Sequence, residues 1–131
     1  DTQVLVIAPT RELAVQVADE LARVAKAYQI IVAAVFGGVK LFDQIDQMQW
    51  APIVVGTPGR LRDHIERGYL HLDTCKVVVL DEADEMLDMG FKDDLEFILG
   101  KVPKAQRQTL LFSATFPPEI TKIAHKDRRD Q

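Results

Sequence analysis

Three carboxylates close the stretch Lys76-Val77-Val78-Val79-Leu80-Asp81-Glu82-Ala83-Asp84. Its apolar part is three valines and a leucine, which reads as a strand buried on both faces. Acids are costly beside a core unless paired. In open α/β sheets, ligands gather outside the carboxyl ends of the strands. Two readings follow. One is an acidic turn left in solvent. The other is a magnesium–nucleotide site in which the Asp at the strand end holds the metal.

Other residues read as anion-seeking. Thr10, behind Pro9, and Thr57, ahead of Pro58, stand where helices begin. Free amides and the helix dipole attract phosphate there. Arg11 and Arg60 stand beside those ends and can add charge-assisted bonds. Gly37 and Gly38 let another backbone come close. Three phosphate-sized sites in a row suit a single nucleic-acid strand held by its backbone, without sequence readout. Taken one at a time, the same residues also serve as plain turn punctuation and surface cations. Ser113 and Thr115 could simply cap a helix opening at Pro117-Pro118. His64, His71 and His125 have no metal-ligand spacing and are read as surface or capping residues.

The elements that must position these residues alternate strand and helix. Val4 to Ala8 is a short apolar run broken by Pro9, and Leu13, Val17, Leu21 and Val24 recur at helical spacing to about Tyr28. Ala14, Ala18 and Ala25 fill the same side, and Glu12 suits the first turn. Ile30 to Phe36 is a second strand, and Leu41, Ile45 and Met48 mark a helix face before Trp50, expected to pack on the core. Ile53 to Val55 is a third strand ended by Gly56. The helix opened by Thr57-Pro58 runs to about Arg67, with Gly68 as its stop. After the acidic strand a helical turn is interrupted by Gly90. Phe91, Leu95, Ile98 and Leu99 then mark a helix closed by Gly100. Gln108 to Phe112 is a fifth strand, and a last helix runs through about His125 into a charged tail. Strands separated by helices of this length imply right-handed crossovers and a mostly parallel α/β sheet with helices on both faces. In such a sheet the five candidate turns lie along one edge.

Bulk properties narrow the classes. The 131 residues suit one domain, and 47% hydrophobic with 27% charged residues is ordinary for a globular protein. The net charge of −4 argues against nucleic-acid binding by bulk charge and leaves room for a local basic strip. No apolar run reaches membrane-span length and no signal peptide is legible, so no membrane partner is expected. The single cysteine, Cys75, cannot form an internal disulfide and reads as a buried structural thiol. It fits a reducing compartment, and the cytoplasm is the expected location.

Five strand-end segments stand in a fixed order: Ala8-Pro9-Thr10-Arg11-Glu12-Leu13-Ala14, Gly37-Gly38, Thr57-Pro58-Gly59-Arg60, Asp81-Glu82-Ala83-Asp84 and Ser113-Ala114-Thr115. Together with Gly56 and Met86-Leu87-Asp88-Met89-Gly90-Phe91, the series resembles the first RecA-like domain of DEAD-box RNA helicases, bacterial members especially. The resemblance implies the P-loop NTPase class of fold, ATP and Mg2+ as cofactors, and RNA as a partner. It implies that Pro9, Thr10, Arg11, Gly37, Gly38, Thr57, Pro58, Gly59 and Arg60 grip the RNA sugar-phosphate backbone, with Arg62 and Arg67 near it. It implies that Asp81 holds magnesium through water, that Glu82, also at the metal, orients or deprotonates the attacking water, and that Asp84 bonds to Ser113 and Thr115.

The chain also departs from that family. No G-x-x-x-x-G-K-[ST] occurs in it. The resemblance puts this P-loop and a glutamine-containing adenine segment before Asp1, and a second RecA-like domain after Gln131. The expectation is a partial domain over 1–125 with a frayed tail over 126–131, inactive alone. The P-loop strand belongs inside the family's sheet, so its loss predicts an open sheet edge and poor stability. The alternative is a non-catalytic RNA- or protein-binding module with the same fold.

Overall fold

The structure is a computed structural model that describes residues 2–37, 48, 51–105 and 107–127, with side chains to Ile123. Its elements are β1 (Val4–Ile7), α1 (Arg11–Lys26), β2 (Val32–Val35), β3 (Ile53–Gly56), α2 (Pro58–Glu66), β4 (Val77–Leu80), α3 (Ala83–Asp88), α4 (Lys92–Gly100), β5 (Gln108–Leu111) and α5 (Pro118–Asp127). The helix expected over Leu41 to Gln49, the packing of Trp50, Gly38 and the last four residues of the tail lie outside the described residues, apart from Met48, which is helical and buried.

The strands form one parallel sheet in the order β2-β3-β1-β4-β5. Alternation along each strand divides the core. Leu5, Ile7, Val54, Val78 and Leu80 face one side, where Leu61 of α2, Leu95, Ile98 and Leu99 of α4, and Ile120 and Ile123 of α5 pack on them. Val6 and Val55 face the other, beneath Ala14 and Ala18 of α1, with Val4 and Val79 partly buried beside them. This two-sided burial is why the strands read as unbroken apolar runs. No described helix is long and apolar enough to cross a membrane.

Several local readings change in the fold. The buried stripe of α1 is Ala14, Ala18 and Ala25, while Val24 and Tyr28 are exposed; small residues let the helix lie close to the sheet. Ile30 and Ile31 precede β2 and are exposed. His64 is fully buried rather than at the surface, because its place on α2 faces the core beside Leu61, with Tyr69 edge-on. Helix α5 ends at Asp127 rather than near His125, whose side chain is outside the described residues. Cys75 is buried, and burial pushes its thiol pKa up, as suits a structural thiol. Among the described strands β5 pairs only with β4, and Leu110, Phe112 and Phe116 near it are exposed.

Gly56 is fixed by packing. A Cβ there would sit 2.6 Å from the Val35 carbonyl oxygen and 2.8 Å from two Leu61 carbons. That oxygen already accepts from Thr57 N at 3.1 Å, so it has little freedom to move. Gly56→Ala is expected to destabilise the chain by about 2 kcal/mol or more, as overpacking against backbone does. Urea unfolding followed by circular dichroism measures this, with Gly100→Ala, where a Cβ meets nothing within 4 Å, as the near-neutral comparison.

Candidate functional site

Each described candidate residue stands at the carboxyl end of the sheet, on one rim. Main-chain bonds align the strand ends: Ala8 N donates to Gly56 O at 3.0 Å, Asp81 N to Ile7 O at 2.9 Å, and Phe112 N to Leu80 O at 2.9 Å. In sheet order the rim therefore reads Gly37, Thr57 to Arg60, Pro9 to Arg11, Asp81 to Asp84, then Ser113 to Thr115. Arg60 and Arg11 stand toward one end, and Asp81, Glu82 and Asp84 toward the other.

The cationic end holds a cavity of about 650 Å³ lined by Gly37, Thr57, Gly59, Arg60, Asp63, Arg67 and Phe91. The helix period explains the set: residues 60, 63 and 67 share one face of α2 and its end. Arg67 donates to Asp63 at 2.9 Å, and this bond holds the Asp63 carboxyl below the usual carboxylate range. Arg60 makes no ion pair among the described residues. Thr57 has the extended backbone of an N-cap but makes no side-chain cap bond, so its hydroxyl is not used by α2. Thr10 does cap α1, accepting from Leu13 N at 3.2 Å. Arg11 lies on another strand end, with its guanidinium carbon 5.0 Å from the Phe36 ring centre.

Arg62 does not join this cavity. It lies on the opposite side of α2, since two residues turn a helix by about 200°. Its guanidinium bonds Asp94 of α4 at 3.2 Å, stands 3.5 Å from Glu66, and lies 4.5 Å over the Phe97 ring. It ties α2 to α4 and so steadies the helix that carries Arg60.

At the acidic end, Asp81 is partly buried and Glu82 exposed. Glu82 has φ 52 and ψ 53, the left-handed region that a residue with a Cβ adopts at a cost of order 1–3 kcal/mol. The turn is held by Ala83 N donating to Phe112 O at 3.0 Å. Asp84 accepts from Thr115 Oγ1 at 2.8 Å and Thr115 N at 3.0 Å, while its own N donates to Ser113 Oγ at 3.1 Å. The two hydroxyl residues are thus joined to the acid rather than acting as caps for α5. Among the described residues no three His, Cys, Asp or Glu side chains form a metal cage. The Asp81 and Glu82 carboxylates suit magnesium, which keeps water and takes one or two carboxylates alongside nucleotide phosphates.

A family model described as DEAD/DEAH box helicase matches residues 1–123. The chain belongs to that family. It is 54% identical over 127 residues to an ATP-dependent RNA helicase CshA of Listeria monocytogenes, covering 96% of this chain and 24% of that protein. It is 53% identical over 125 residues to a DEAD-box ATP-dependent RNA helicase CshA of Geobacillus kaustophilus, covering 95% and 27%. The chain thus spans about a quarter of the length of the curated relatives it matches. A crystal structure of a DEAD box protein from the hyperthermophile Methanococcus jannaschii superposes with a TM-score of 0.93 at 47% identity, covering 98% of this chain and 35% of that one. The fold is that of the DEAD-box helicase RecA-like domain.

Three side chains of this helicase-family rim escape sequence reading: Phe36, Asp63 and Phe91. Asp63 follows Arg60 at helical spacing, a signal that could have found it. Phe91 reaches the cavity through the turn at Gly90, which no periodicity reports. The Asp84 carboxyl is held below the usual range chiefly by the Thr115 hydroxyl, with the Thr115 amide and Ser113 adding to it. A depressed acid stabilises the fold above its unfolded pKa, and that contribution is lost as pH falls through the folded one. Carbon-detected NMR titration should find Asp84 titrating below ordinary aspartate, and Thr115→Val should move it back up. An unmoved midpoint would remove Thr115 as the cause.

Proposed function

We propose that the chain is a segment of an ATP-dependent RNA helicase whose single rim holds RNA by its backbone at one end and magnesium–ATP at the other. The observation that carries this is the placement of the cation-lined cavity and the Asp81-Glu82-Ala83-Asp84 turn on the same strand ends, with β1 between them. The names of the CshA relatives support the substrate and the nucleotide.

At the cavity, the Arg60 guanidinium and the free amides at the start of α2 take phosphate oxygens, and the Thr57 hydroxyl is available as a further donor. Gly37 and Gly59 have no positive φ, and among the described residues a Cβ at either meets nothing within 4 Å. The described residues do not require glycine there, and close approach of a ligand backbone accounts for both. Pro9, Thr10 and Arg11 extend the track at β1, and Pro58 starts the helix.

At the acidic end, Asp81 would hold magnesium through water, with Glu82 beside it. Bound magnesium would neutralise charge on the phosphates. Glu82 orients the attacking water or takes its proton, and the left-handed turn fixes where its carboxylate starts. Asp84 joins the nucleotide end to Ser113 and Thr115, whose loop can carry movement toward a second RecA-like domain of the parent.

Phosphoryl transfer also needs a phosphate cradle, and the chain has no G-x-x-x-x-G-K-[ST]. By itself it is therefore a weak, sequence-independent RNA binder. RNA-stimulated ATP turnover by the chain, abolished by Glu82→Gln, would overturn this. In fluorescence anisotropy with a labelled ten-nucleotide RNA at low salt, Arg11→Ala with Arg60→Ala should weaken binding about tenfold or more. The double change should also flatten the salt dependence by about 0.7 per lost phosphate contact. Unchanged affinity would show that the cationic end does not take phosphate.

A further inference from the structure

Arg11 is the first residue of α1, where a cation opposes the helix dipole. It makes no ion pair among the described residues. What holds it is Phe36, the residue after β2, whose ring centre lies 5.0 Å from the guanidinium carbon. Phe36 is itself partly buried and packed against the α1-side core, so the ring is a fixed platform rather than a loose surface group. Its neighbour Gly37 lines the cavity that also holds Thr57 and Arg60.

We propose that Phe36 is a positioning residue that holds the Arg11 guanidinium in line with the Arg60 cavity, so that the two cations take separate phosphates of one RNA strand. The inference rests on the reading of this rim as an RNA-backbone site. Its physical basis is the shape of guanidinium. A guanidinium laid flat on a ring keeps its N–H donors in plane and free, where they can grip a phosphate two at a time. Stacking also removes rotamer freedom before the ligand arrives, which an exposed arginine would otherwise lose on binding. The cation at a helix start is then accounted for twice: the ring holds it, and an incoming anion satisfies both it and the helix end.

The test is a double-mutant cycle on the chain, with the same ten-nucleotide RNA and unfolding curves recorded for every variant. Phe36→Leu keeps an apolar side chain and removes the platform. It should weaken binding about two- to fivefold and move the salt slope toward that of Arg11→Ala. Phe36→Tyr, which restores a ring face, should bind like the wild type. In the Arg11→Ala background, Phe36→Leu should cost nothing more. Phe36→Met makes the same comparison if leucine does not fold. The proposal is overturned if Phe36→Leu weakens binding equally with and without Arg11. It is also overturned if Phe36→Leu leaves affinity intact while Arg11→Ala lowers it. Loss of neither affinity nor slope in Arg11→Ala itself would instead strike the RNA-backbone reading of Arg11, and this inference with it.

Discussion

The alignment of parallel strand ends is the constraint on which the site depends. Each pairing in the sheet runs residue against residue: Ile7 sits beside Gly56 and Leu80, Val35 beside Gly56, and Leu80 beside Leu111. Turns leaving those positions emerge side by side. A one-residue slip of β4 would turn Val78 and Leu80 out of their core and carry Asp81 off the rim. The apolar pattern that builds the sheet therefore also places the acids. Gly56 shows how close the tolerance is, since its bare Cα lets the Val35 carbonyl and Leu61 come together beneath Thr57.

The rim is polarised. Its β2–β3 end is a concave surface whose Arg60 makes no ion pair among the described residues, and its β4–β5 end is a compact acidic turn tied to the next strand. Neither end needs much buried charge. Arg67 is satisfied by Asp63, Arg62 by Asp94 and the Phe97 ring, and Asp84 by Thr115. The charges without an ion pair among the described residues, Arg11 and Arg60 on one side and Asp81 and Glu82 on the other, are those to which the proposed function assigns ligands. Among the described residues of this rim, Glu82 alone holds a left-handed backbone, a local cost accepted at the point where strand becomes helix.

Much of this was legible in the chain. Val77 to Leu80 and Val4 to Ile7 are too apolar to be anything but buried strands, and Thr57-Pro58 with Gly68 brackets α2. Errors fell where tertiary packing overrode local pattern. Val24 follows the helical period yet is exposed, because it lies on the flank of the stripe that Ala14, Ala18 and Ala25 turn toward the sheet. His64 looked like a surface residue, yet it fills the α2 side of the core. Arg62, which the resemblance puts near RNA, lies on the other side of the helix from Arg60, where Asp94 and Phe97 meet it.

Taken alone, the amino-acid order determined the alternation of strands and helices, the chemistry standing at each strand end, and the DEAD-box resemblance. Those are properties of short stretches: apolar period, caps, and residue types within a few positions of one another. Tertiary structure decided the strand order β2-β3-β1-β4-β5, the tie of Arg62 to Asp94, and the placing of Arg11 over Phe36. Such contacts join residues far apart in the chain, and local periodicity holds no record of distance across a sheet. Only the packing of two helical layers on one ladder selects them.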